Sequence, residues 1–480
     1  MSNKSQTING IFWNLTERFG NKIIRFSLGI VLARILLPED YGILALTSIV
    51  ILFSEIISDG GYMMVLIQRK DNTQIEYSTV FWSKLLVTTI IFFVIIIASP
   101  FIADFYETPI LKDVLRIISI ALIINCLYSV HKTILTIALD FKGQAKIILI
   151  STIIGGLTGI VFALLGYGVW SLVFQTLTIS AVQAVLFWVY SKWQPSLKYS
   201  FNFIKEIYNN SFYFLSSNIL LLVYNNIYVV LVGKFFPNST LGYYTRSKQF
   251  VELPQHTTNS VIVKVLFPIF TSKKNDKKAL RSNTIETLSW VTYIMTPIML
   301  LFIINSDQII IFFLTKKWIE ASDFLIILSI AGIIMSINEV IFNVFNILGK
   351  PLIIARMSLF KILFTGLLIL LVWEYGILLT TSIIIIENLI VFIILCFIIK
   401  KVINLSFYDI VKSIYKVFVI NLVAFLVIYF IINYLDIIGV NSLLHIIVTS
   451  IIYLTLIFFL SKFFKLKQLS FLKRISKFGL

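Results

Sequence analysis

Asn14, Arg18, Asn21 and Arg25 recur at i, i+4, i+7 and i+11, so a helix through them carries two guanidinium groups and two amides along one face. Lys22 follows Arg18 by four residues, and Glu17 lies between the cations and the start of the run. A guanidinium stays charged and offers a planar fork of donors that matches a phosphate. The chemistry this stripe suits is anion binding; the alternative is internal neutralisation by Glu17 and by partners on other helices. A second polar element runs from 242 to 270, with Arg246, Lys248, Gln249, Glu252, Gln255, His256, Asn259 and Lys264. Arg246, Gln249, His256 and Asn259 can share a face there and form a second cationic, hydrogen-bonding wall. Glu55 and Asp59, also four apart, are candidates for coupling a cation or proton, as is Glu17, or for acting as static counter-ions. Glu339 and Glu387 are lone carboxyls in later runs. Asn225 and Asn226 suit a sugar or a neighbouring helix, and His131 and His445 read as structural.

The elements that must hold these groups are membrane spans. The 480 residues are 59% hydrophobic and 13% charged, with a mean hydropathy of +0.95, which excludes an ordinary soluble domain. Four charges in the first apolar run would cost roughly 10 kcal/mol or more at mid-bilayer, whereas the Leu, Ile, Phe and Val around them recover roughly 6. That helix must therefore face a polar interior. Fourteen spans of about 20 residues are expected, at 9–34, 41–67, 79–103, 111–139, 146–166, 168–190, 211–233, 242–270, 286–305, 321–348, 352–374, 376–399, 412–434 and 441–462. With both termini cytoplasmic, 24 loop lysines and arginines fall inside and 5 outside, a strong positive-inside bias. This sidedness, rather than nucleic acid, accounts for the net charge of +17. The start reads as carrying no removable signal peptide. Cys126 and Cys396 both sit in apolar runs, against a disulfide or metal framework.

An internal repeat adds organisation. Residues 113–124 match 323–334 at 8 of 12 positions, Tyr167-Gly168 matches Tyr375-Gly376, and Pro38…Gly42 echoes Pro237…Gly242. Six helices separate the copies, an even number, so the repeats are parallel and related by an axis along the membrane normal. The expected fold is an all-α polytopic membrane protein: two six-helix lobes, at 1–200 and 201–402, enclose a central cleft, and two extra helices follow at 403–464. A basic tail, 465–480, suits either an anionic leaflet or a solvated topogenic role.

No G-x-x-x-x-G-K-[ST], H-E-x-x-H, G-x-S-x-G or paired C-x-x-C motif occurs, and every expected loop is short. The chain reads as a transporter without cofactor or metal, and not as an enzyme. The stretch Ala33-Arg34-Ile35-Leu36-Leu37-Pro38-Glu39-Asp40-Tyr41-Gly42 resembles the A-R-x-L-x-P-x-D-[YF]-G junction of the Wzx-like bacterial polysaccharide flippases. These belong to the multidrug/oligosaccharidyl-lipid/polysaccharide exporter superfamily, which shares a MATE-like fold. In that junction Pro38 and Gly42 are expected to form a sharp turn between helices. The resemblance implies translocation of an undecaprenyl-diphosphate-linked oligosaccharide from the cytoplasmic to the periplasmic leaflet of the bacterial inner membrane. It implies alternating access around a cationic cavity, H+ or Na+ as coupling ion, surrounding membrane lipids, and contact with polysaccharide assembly proteins. A drug exporter of the same fold would want an acidic cavity, and a polymerase a sizeable periplasmic loop; both are the rival readings.

Overall fold

The computed structural model describes residues 20–69, 71–261, 270, 276–434, 441–466 and 468, and among them every regular element is helical. Eleven of the described helices are long and apolar enough to cross a membrane. The chain divides into two compact units, Met1–Gly242 and Tyr243–Leu480.

The first unit opens with α1, residues 20–35, followed by α2 (Pro38–Asp59), α3 (Tyr62–Gln68) and α4 (Gln74–Phe105). Then come α5 (Ile110–Ile118), α6 (Ile120–Ile137), α7 (Phe141–Leu164), α8 (Val169–Ser191), α9 (Phe201–Phe235) and the start of α10 (Asn238–Val261). Pro38 is the first residue of α2, where its missing N–H costs nothing, and the Asp40 carboxylate accepts from the Leu37 N–H at 2.9 Å. Gly42 is not in the turn that its motif suggested; it lies inside α2, and its role is close approach. A Cβ there would fall 1.8 Å from the carbonyl oxygen of Asn238, and one on Gly242 would fall 1.9 Å from that of Pro38. The two Pro…Gly motifs of the repeat thus cross each other reciprocally, each glycine against the backbone of the other motif. Residues 41–67 do not form one span. Gly60 and Gly61, with φ of +54° and +79°, end α2 and start α3, and the second sits against the Ser211 carbonyl of α9.

Gly155 and Gly159 let α7 lie directly on α8, against Ile179 and Gln175, the small-residue spacing by which helices associate in lipid. The N-terminus of α4 is tied to the 194–200 connection. Trp82 Nε1 donates to the Ser196 carbonyl, Gln74 Nε2 to that of Gln194, and the Ser200 N–H to Thr79 Oγ1. Arg69 completes this corner. It donates to Glu206 at 2.7 Å and Glu76 at 3.2 Å, and stands 5.2 Å from the Phe203 ring centre. The hydrogen bond to Glu206, ahead of any cost of burial, raises its affinity for the proton and holds it charged.

The second unit continues α10 and adds α11 (Lys277–Ile304), α12 (Ser306–Leu314), α13 (Ala321–Ile347), α14 (Pro351–Val372), α15 (Ile377–Ile403), α16 (Phe407–Tyr434) and α17 (Ser442–Phe463). α13 packs on α11 and α15, and α16 on α11 and α17. Ala424, Ile428, Tyr453 and Ile457 form the core of the last helix pair. Where a loop was expected between 305 and 321, α12 and a turn of 3-10 helix instead bury Trp318 completely.

Repeat-related positions behave alike at one junction and differ at another. Gly168 and Gly376 both carry positive φ, +54° and +102°, and both cap the N-terminus of the helix that follows. The 113–124 copy, however, breaks at Ser119 into α5 and α6, whereas its 323–334 counterpart runs unbroken through α13. Ser119 Oγ donates to the Arg116 carbonyl at 2.8 Å, and Arg116 Nε donates to Ser99 Oγ of α4 at 3.0 Å. The second copy has Ile326 in place of Arg116 and cannot make that tether.

Gly42→Ala and Gly242→Ala should each lower thermal stability in detergent by an amount in or above the usual overpacking range, about 1–3 kcal/mol. Gly366→Ala, where a Cβ meets nothing within 4 Å, should not.

Candidate functional site

Each unit carries a polar cluster, and the two differ in how their charges are balanced. In the first unit, Arg25 and Asn21 lie on α1; Arg25 Nε donates to Asn21 Oδ1 at 3.3 Å, and the same oxygen accepts from Thr152 Oγ1 of α7 at 3.0 Å. Asn21 is thereby fixed and the guanidinium is held on an accessible face. Among the described residues no carboxylate forms an ion pair with Arg25. Lys22 is exposed on the same helix. Asn14, Glu17 and Arg18 lie outside the described residues.

On α2, Glu55 accepts from Asn125 Nδ2 of α6 at 2.7 Å, and Tyr128 Oη donates to Asn125 Oδ1 at 3.2 Å. Tyr128 is within electrostatic reach of both Glu55 and Arg25, so a polar chain runs from α7 through α1 and α6 to α2. Asp59, one turn further along, is held by Lys84 of α4 at 3.1 Å. Of the two carboxyls placed together by the sequence, one therefore has a fixed counter-ion and the other an amide.

In the second unit, Arg246 Nη1 donates to Gln249 Oε1 at 2.6 Å, the pairing that their shared face suggested. Lys248 is held to Glu252 at 3.6 Å, and Gln255 Nε2 donates to the Gly332 carbonyl at 3.1 Å. His256 is exposed on α10. Lys264 lies outside the described residues. Glu339 accepts from Asn259 Nδ2 at 2.8 Å.

Glu387 is not the lone carboxyl of the sequence reading. It forms a 2.7 Å ion pair with Lys361 of α14, both side chains less than a tenth exposed, and accepts from Thr365 Oγ1 at 2.7 Å. Lys84 and Lys361 are the two residues that sequence reasoning missed. Their signal was present: each is a single lysine inside an expected span, where a charge requires a partner.

The remaining candidates are local. Asn226 Nδ2 bonds the Leu222 carbonyl of its own helix. His131 contacts Ser191 Oγ at 2.6 Å and packs on Trp188 and Trp193, and His445 is buried. The two cysteines are buried free thiols.

A family model described as polysaccharide biosynthesis protein matches residues 31–323. The chain is 27% identical over 342 residues to the teichuronic acid biosynthesis protein TuaB of Bacillus subtilis, covering 68% of this chain and 70% of TuaB. It is 23% identical over 377 residues to the lipopolysaccharide biosynthesis protein WzxC of Escherichia coli, covering 75% and 74%. Among solved structures, the lipid II flippase MurJ in an inward closed conformation superposes with a TM-score of 0.73 at 17% identity, over 95% of this chain and 98% of MurJ. An inward-facing multidrug transporter of the MATE family superposes at 0.58 with 16% identity, over 80% and 94%.

Lys84→Met should strand Asp59 at membrane depth and cost about 1–3 kcal/mol. The double variant Lys84→Met with Asp59→Asn should recover most of that loss, as read by thermal melting and protein level.

Proposed function

This chain belongs to the polysaccharide biosynthesis protein family, and from that membership we propose that it is a flippase for an undecaprenyl-diphosphate-linked oligosaccharide. It is a multi-pass membrane protein of the Wzx-like, MATE-related class. In our reading it moves its substrate from the cytoplasmic to the periplasmic leaflet of the bacterial inner membrane. The units would enter O-antigen, capsule or exopolysaccharide synthesis. The fourteen-helix arrangement, two parallel six-helix lobes with two further helices and both termini cytoplasmic, completes the reading.

The observation that carries it is Arg25. A guanidinium on α1, accessible and steadied by an amide with no described carboxylate bound to it, suits an anion. The cations with a static role look different: Lys84 and Lys361 are already held by Asp59 and Glu387. The anion that fits a lipid-linked sugar is its diphosphate. Arg18, Lys22 and Asn14 extend the same stripe in sequence. Arg246, Gln249 and His256 offer a second basic face, and the amides, Asn21 among them, offer hydrogen bonds to oxygen-rich groups. The names of TuaB and WzxC support a glycan pathway, and the likeness to MurJ supports the fold on which a lipid carrier is handled. The drive in this reading is an H+ or Na+ gradient. Glu55 is the better first-unit candidate for coupling, because Asp59 is already neutralised by Lys84.

Deleting the gene should leave the lipid-linked unit on the cytoplasmic leaflet and abolish surface polymer. Units stranded unpolymerised on the periplasmic side would overturn the proposal. In the complemented deletion strain, Arg25→Ala and Arg246→Ala should each lower export about tenfold or more at normal protein level, equivalent to about 1.4 kcal/mol of anion binding. Export unchanged in both would remove the cationic site.

A further inference from the structure

Arg25 sits beside the contact between α1 and α7. On α7, Leu149, Thr152 and Gly156 fall at i, i+3 and i+7 and meet α1, while Gly155 and Gly159 meet α8. Their partners on α1 are Gly20, Asn21 and Leu28. A Cβ on Gly20 would lie 3.8 Å from Leu149 Cδ2, an ordinary contact, and one on Gly156 would lie 2.2 Å from Leu28 Cδ1. Between these contacts Thr152, 1% exposed, donates from Oγ1 to Asn21 Oδ1 at 3.0 Å. Asn21 and Leu28 are seven residues apart, about 10 Å along the helix, so the contacts fix both the rotation of α1 and its slide along α7. Arg25 lies between them on the same side of α1 and is exposed.

The Thr152 hydroxyl departs from the habit of its neighbours. A helical hydroxyl commonly donates to the carbonyl four residues back, as Thr47, Thr88 and Thr176 do at 2.7, 2.7 and 2.9 Å. Ser151, next in the chain, donates to the Ile147 carbonyl in the same way at 2.7 Å. Thr152 instead reaches across to another helix, and the oxygen it finds is the one that accepts from Arg25 Nε at 3.3 Å. A carboxamide can turn either its oxygen or its NH2 toward a neighbour. Two donors converging on Oδ1 keep the oxygen toward Arg25; an NH2 there would set donor against donor. Because Asn21 takes Nε, the two Nη groups are left to receive a phosphate, and among the described residues neither bonds another group.

We propose that Thr152 is the positioning residue of the Arg25 anion site: through Asn21 it sets the direction in which the guanidinium fork points. The inference rests on the reading of Arg25 as the diphosphate site. It adds a requirement that the α1 stripe does not contain, because the hydroxyl comes from 131 residues further along the chain. Valine at 152 would keep the shape of the side chain and remove the donor, leaving the Asn21 amide free to turn. Serine would keep the donor.

The test is binding of farnesyl diphosphate, a short lipid diphosphate, to the full-length protein in lipid nanodiscs, with farnesol as the uncharged control and thermal melting alongside. Thr152→Val should weaken farnesyl diphosphate binding about two- to tenfold, the effect of one hydrogen bond, with farnesol binding and melting near wild type. Thr152→Ser should bind as wild type does. Undiminished binding in Thr152→Val would overturn the positioning role. So would equal losses in the valine and serine variants, or equal losses of farnesyl diphosphate and farnesol, since both mark a packing defect. Asn21→Ala removes the same link from the other helix and should weaken the diphosphate at least as much; unchanged binding there would overturn the link even if Thr152→Val does not fold. Arg25→Ala separates the two readings. If it binds farnesyl diphosphate like wild type, the anion site falls and the inference with it. If it loses binding while Thr152→Val and Asn21→Ala do not, only the positioning role falls.

Discussion

A charge in hydrocarbon must be matched within a few ångströms, and much of this structure follows from that requirement. Lys84 and Lys361 each lie inside a long apolar helix, and each is bound by a carboxylate on a neighbouring helix, Asp59 and Glu387. Such pairs are weak contributors to stability, because desolvation offsets much of the attraction, yet breaking one by removing a single partner is costly. Their consequence is register: α2 and α4, and α14 and α15, can each slide only by separating the pair. Arg25 is the informative exception: it bonds the Asn21 amide of its own helix, and no described carboxylate pairs with it, where Lys84 and Lys361 have carboxylates.

The second constraint is steric. Helices in lipid gain little from hydrophobic association and depend on close backbone approach. The Gly42 and Gly242 crossings take this to its limit, with no room for even a methyl group on either side. Gly155 and Gly159 do the same for α7 and α8. The family junction around Pro38 therefore combines two functions that look alike in sequence. The proline starts a helix, and the glycine four residues on admits another chain segment.

The overall class was legible because its signals are one-dimensional. Apolar length, loop charge and the repeat at Gly168 and Gly376 need no knowledge of neighbours, and the described helices coincide with most of the expected spans. Two spans were drawn as continuous and are not. The Gly60-Gly61 pair is a local breaker inside an apolar run, whereas the break at Ser119 comes with the Arg116 contact to α4, which no local pattern carries. The polar stripe of α1 was legible through Asn21 and Arg25. The partners that divide anchored from available charge were not.

By itself the sequence determined that this chain crosses a membrane many times and that its two halves echo each other, since hydropathy and repetition are properties of order along the chain. The tertiary structure alone decided which of the described charges are paired, and with what. Pairing depends on distances between helices that are tens to hundreds of residues apart. In a medium where charge is so costly, that choice separates Lys84 and Lys361, each paired with a carboxylate on a neighbouring helix, from Arg25, which pairs with no carboxylate among the described residues.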